Sequence, residues 1–169
     1  MEGPDPDAPK PSFVGCIVGV VILIVGAALL VPFFVKAANR AKVTGCQGNL
    51  STLWTMENVY AKDHGNRMPE ATGKDFWRAL TRTNPPLLDE SKWEISCCNA
   101  RAEAKPGEIH YLGPASDVNR LGDYDPVGCD ELFNHSSDGK GGGNVLRKAG
   151  DVMELNGADW RAVSSRCVP

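Results

Sequence analysis

From Phe13 to Val35 the chain carries no charged residue. Wound as a helix, at about 1.5 Å per residue, these positions extend roughly 35 Å, enough to cross the hydrocarbon core of a bilayer. The run is too long and too uniformly apolar for most buried helices. A cleaved secretory signal has a shorter apolar core and small residues after it, whereas Pro32, Phe33 and Phe34 close this run. The pattern therefore predicts a retained transmembrane helix over 13–35. Helical spacing then continues. Val43, Cys46, Leu50, Leu53, Glu57 and Tyr60 recur three or four positions apart, and Trp54 widens the stripe. Gly65 suits a left-handed helix end and Pro69 follows it. A continuation of the helix over 36–64, packed on a domain, is the expectation.

Beyond the helix the pattern shortens. A short helix is predicted around Phe76, Trp77 and Leu80, with Thr72 as its cap, Asp75 in its first turn, and Asn84, Pro85 and Pro86 ending it. The segments KWEISCC and EIHYL alternate like short strands. Between Gly113 and Gly143 glycine, proline, aspartate and asparagine dominate, which predicts a long ordered loop. NVLRKAGDVMEL reads as two strands around a turn at Gly150-Asp151. The fold class is α+β: a long N-terminal transmembrane helix continuing into a small antiparallel β-sheet domain. Its divisions are a disordered, proline-rich tail at 1–12, the span at 13–35, the packed helix at 36–64, and a small α+β domain at 65–169. So small a sheet needs Leu50, Leu53, Trp54 and Tyr60 over one face to complete a core.

Charge changes the picture little. The net charge is -3, with 18 Lys and Arg among 21 Asp and Glu, so there is no basic face to argue for nucleic acid. Lys36, Arg40 and Lys42 directly follow the apolar run, which by the charge rule puts the domain in the cytoplasm. Cysteine use points the other way. Cys46, Cys97, Cys98, Cys129 and Cys167 all follow the span, a density commoner where disulfides persist. Cys46 with Cys97 or Cys98 is the preferred bridge, pinning the helix to the first strand. Cys129 with Cys167 is the second, and reduced, buried thiols are the alternative.

The stretch NHSSDGKGGGNVL has the ingredients of a phosphate loop without its order. No Ser or Thr follows the lysine, and the glycines lead into a strand. Its His135, Gly143, Asn144 and Gly150 are assigned instead to the frame of a hairpin. No spacing places Ser, His and Asp as a triad. His64 falls at a helix end, and His110 is expected on a strand surface. Calcium is the better ligand hypothesis: Asp117, Asp123, Asp125 and Asp130 crowd the loop with hard oxygen donors, although no EF-hand spacing is met. The plain alternative is a solvated loop of Asx-turns.

The order of several motifs resembles the type IV pilin-like proteins, especially type II secretion pseudopilins and the pilin-like proteins of planctomycete-type bacteria. Cys46, Asn49 and Leu50, then Tyr60, Ala61, Gly65 and Pro69, match the family's helix pattern. His135, Gly142, Gly143, Asn144, Val145, Leu146, Gly150 and Val152 match its C-terminal pattern. The likeness spans 37–160. Val20 stands where the family usually carries a glutamate, and Ala149 where an aspartate often precedes the turn glycine. The resemblance implies an extracytoplasmic domain and raises the expectation of a structural calcium. It implies a non-enzymatic, membrane-anchored structural protein of a secretion or envelope apparatus. The bilayer and other pilin-like subunits are the expected partners, and nucleic acid is not one. A membrane-tethered module binding calcium or a partner through 113–139 is the alternative.

Overall fold

A computed structural model of the chain describes residues 13–96, 107–131 and 142–169. The chain is α+β. Helix α1 (Phe13–Asp63) is followed by α2 (Lys74–Arg78), which tightens into a 3-10 turn at Ala79–Thr81. Strands β1 (Tyr111–Pro114), β2 (Pro126–Asp130), β3 (Gly143–Arg147) and β4 (Val152–Leu155) come next, then α3 (Gly157–Ser164) and β5 (Cys167–Val168). All strand pairs are antiparallel, in the order β4-β3-β2-β1-β5.

Two compact units divide the chain, Met1–Ala38 and Asn39–Pro169. In the first, the large apolar side chains from Ile17 to Val35 are exposed, and mean hydropathy reaches 2.9 over an 18-residue window. By length and composition this helix can cross a membrane.

In the second unit the spacing of apolar residues becomes a core. Cys46, Leu50, Leu53 and Trp54 of α1 pack with Phe76, Trp77 and Leu80 and with Tyr111, Val127 and Leu146 of the sheet. Leu50 and Leu53 are fully buried, each worth about 1.5–3 kcal/mol of apolar burial. A second cluster, Cys129, Val145, Trp160 and Cys167, lies with α3. Val145 and Leu146 are adjacent and belong to different clusters, as strand alternation requires. Val127 and Cys129 are two apart and should share a face. A register shift between Pro126 and Gly128 puts them in different clusters.

Three expectations are corrected. The segment KWEISCC is not a strand where it is described: Glu90–Ser96 is a 3-10 helix. Asp89 explains this locally, because its carboxylate accepts from the Ser91 backbone N–H at 3.0 Å and from the Ser91 hydroxyl, and its carbonyl accepts from the Lys92 N–H. The loop from Gly113 to Gly143 contains β2, the central strand. Thr72 does not cap α2; Gly73 does, at φ +60° and without a side-chain bond. Gly73 donates its N–H to the Pro114 carbonyl. A Cβ on Gly113 would lie 1.9 Å from the Gly73 carbonyl oxygen, so the two backbones meet where no side chain fits.

The packed face of α1 also carries a polar residue. Glu57 is fully buried on the packed face of α1, and neither carboxylate oxygen has a hydrogen-bond partner among the described residues. Burial pushes its carboxyl well above the ordinary glutamate range. The folded state therefore holds this proton more tightly than the unfolded state. Its contribution to stability is fully present below about pH 4.3, where the unfolded glutamate is also protonated, and is lost as pH rises toward the folded value. Glu57→Leu is expected to stabilise the domain at pH 7.5 by about 1–3 kcal/mol in denaturant melts, with the advantage over wild type shrinking on acidification. An advantage independent of pH between 4 and 8 would mean that the carboxyl is not held protonated.

Candidate functional site

The acidic loop offered the clearest ligand chemistry, and the structure distributes its carboxylates among separate tasks. Asp117 accepts from the Asn119 amide side chain at 2.8 Å and from its backbone N–H at 3.0 Å. These bonds hold its carboxyl below the usual range and start the 3-10 turn at Val118–Arg120. Asn119 in turn donates to the Met68 carbonyl and accepts from the Met68 N–H, fastening the turn to the segment after α1. Asp123 contributes its carbonyl to the Ala149 N–H. Asp125 accepts from the Gly122 N–H and from the Arg166 guanidinium, which together lower its pKa. Asp130 is fully buried in β2 and accepts from the Asn144 N–H at 2.7 Å. Among the described residues, no group of three or more His, Cys, Asp or Glu is placed to hold a metal. The carboxylates of Asp117, Asp125 and Asp130 thus have separate partners, and Asp123 is engaged through its backbone carbonyl.

The hairpin residues are brought together. Gly143 opens β3, and a Cβ there would meet the Trp160 indole at 2.4 Å. Asn144 follows, fully buried, and its side-chain amide donates to the Val43 carbonyl of α1 at 3.2 Å. The turn closes with Gly150 at φ +94°, whose N–H donates to the Arg147 carbonyl. A Cβ on Gly150 would lie 2.8 Å from the Trp54 indole nitrogen. Strand and turn are therefore both seated on α1, through Asn144 and Gly150. Asp151 binds the Arg147 guanidinium across the turn. His135 lies outside the described residues.

Cys46 is fully buried in the first core; Cys97 and Cys98 lie outside the described residues. The structure does bring Cys129 and Cys167 together, but as free thiols rather than a bridge. His110 is not on the surface: it is buried, with Nε2 3.3 Å from the Glu108 carboxylate. Ile109 and Tyr111 on either side of it are buried too.

One groove escaped sequence reasoning. At the end of α1, where Gly65 takes φ +69° as expected, His64 donates Nδ1–H to the Tyr60 carbonyl at 2.7 Å and stacks on the Tyr60 ring at 3.8 Å. Tyr60 and His64 line a cavity of about 290 Å³ with Pro69, Ala71, Arg82 and Glu70. Glu70 is paired with Arg67 on the exposed surface. The four-residue spacing of Tyr60 and His64 was the available signal. Thr83 lines it too, its hydroxyl donating to the Leu80 carbonyl and accepting from the Leu87 N–H.

The chain matches no family model, no curated protein and no solved structure.

Two outcomes follow for the loop and hairpin. Asn144→Ala is expected to cost about 1–2 kcal/mol in denaturant melts, since it removes a buried bond to α1. With the carboxylates of Asp117, Asp125 and Asp130 committed to other partners, the domain is expected to melt at the same temperature in millimolar calcium as in chelator. A calcium-dependent rise that Asp123→Asn and Asp125→Asn abolish would restore the loop as a metal site.

Proposed function

We propose that the chain is a non-enzymatic, single-pass, membrane-anchored protein of pilin-like design, serving as a structural component of a secretion or envelope apparatus. Its domain faces the extracytoplasmic side. The observation that carries this reading is the double use of α1. One helix presents an exposed apolar stretch long enough to cross a bilayer and then supplies Cys46, Leu50, Leu53 and Trp54 to the core of the sheet domain. That is the arrangement the spacing of apolar residues led us to expect. The hairpin is seated on the same helix, and the acidic residues of the loop serve the fold. A structural role therefore fits better than a calcium- or partner-binding module. The partners this reading names are the lipid bilayer and other pilin-like subunits.

Intact-cell proteolysis tests the topology. Added protease is expected to digest residues 70–169 without lysis of the inner membrane. Digestion only after the cytoplasm is opened would overturn the extracytoplasmic placement. Mass mapping of the N-terminus adds a separate result: a chain beginning at Cys16 would mark processing by a prepilin-type peptidase.

On this reading the domain folds in an oxidising compartment, and Cys46 pairs with Cys97 or Cys98. A non-reducing peptide map should show the Cys46 peptide linked to the one carrying those two cysteines. Cys46 linked elsewhere would break the proposed tie between helix and domain.

A further inference from the structure

The C-terminal strand is short. β5 has two residues, pairing Val168 with Gly113 and Cys167 with Pro114 of β1. Ahead of it, Arg166 reaches the Asp125 carboxylate, an ion pair with the arginine more than half exposed. Exposed pairs of this kind contribute at most about 1 kcal/mol. Beneath the strand sits an unused chemical pair. Cys129 is the fourth residue of β2, fully buried, and Cys167 is 5% exposed. The two cysteines share one buried cluster with Val145 and Trp160. β5 touches β2 as well as β1, so the sulfurs approach across the sheet and not by sequence proximity.

We propose that Cys129 and Cys167 are an oxidisable pair that closes into a disulfide, a covalent latch fastening the C-terminal strand to the centre of the sheet.

The oxidant is a disulfide, either of low molecular weight or on a thiol–disulfide exchange protein. One cysteine thiolate attacks a sulfur of the oxidant, forming a mixed disulfide and expelling one thiol. The second cysteine thiolate then attacks the bound cysteine sulfur, forming the Cys129–Cys167 bond and expelling the other thiol. The pair loses two protons and two electrons, and one disulfide becomes two thiols. The neighbouring Cys167 and burial push the Cys129 thiol well above its ordinary range, so the closed pair reacts slowly. Attack must wait until β5 lifts and exposes Cys167. Arg166 with Asp125 is the clasp over that opening.

The test uses the full chain in mild detergent, incubated in reduced and oxidised glutathione, acid-quenched, denatured, alkylated and peptide-mapped. The expected product joins the Cys129 peptide to the Cys167 peptide. Arg166→Ala should speed its formation about two- to fivefold. The linked form should melt on the order of 10 °C above the form with both thiols free. Cys167→Ser should abolish both the product and that part of the redox-dependent shift, leaving any contribution from Cys46. Three results would overturn the proposal. They are recovery of both cysteines alkylated even in mild urea, linkage of either to another cysteine instead, and survival of the whole shift in Cys167→Ser. None of these outcomes depends on which side of a membrane the domain occupies.

Discussion

The domain depends on the seating of α1 against the sheet. A five-stranded sheet of two- to five-residue strands has little apolar surface of its own, and an isolated sheet of that size is marginal in water. Leu50 and Leu53 are fully buried because the sheet and α2 close over them. Two polar features fix where the helix lies. The Asn144 amide reaches the Val43 carbonyl, and Gly150 leaves space for the Trp54 indole. Apolar burial supplies the energy, and these two contacts hold the hairpin to one place on α1. Glu57, on the same face, opposes that seating unless it keeps its proton.

Much of this was legible in the sequence. The helix end fell within one residue of the expected position because Gly65 and Pro69 are strong local signals. The hairpin was legible because its turn residues and strand formers agree. The central strand was not. Pro126, Gly128 and Asp130 are turn formers, and Val127 alone in the segment favours a strand. The surroundings override that preference. Proline sits at the strand start where no ladder bond is lost, and glycine sits where an indole must pass. The 3-10 helix at Glu90–Ser96 was missed for a related reason: an Asx-turn at Asp89 outweighs a short alternation.

The candidate sites show a different limit. Acidic density in the loop signalled ligand oxygens, but density does not say where each carboxylate points. Asp117, Asp125 and Asp130 are turned toward three different neighbours. Cys46, Leu50, Leu53 and Glu57, by contrast, were bound to act together because a helical period aligns them on one face. Linear order predicted the packing of the helix better than the chemistry of the loop, since a loop has no period to constrain its side chains. Cys129 and Cys167 stand 38 positions apart, the difference of the two residue numbers; the sequence offered them as a pair, and the course of the sheet brings them into one cluster.

Gly128 has a wider implication. A Cβ there would lie 2.5 Å from the Trp77 ring, whose indole nitrogen is also fastened to the Leu112 carbonyl at 3.2 Å. The indole is thus fixed at its polar end while its benzene edge lies over bare backbone. Neither position can drift alone: bulk gained on the strand must be surrendered by the ring. In any lineage that keeps this domain, the two sites should change as a matched large-and-small exchange or stay as they are.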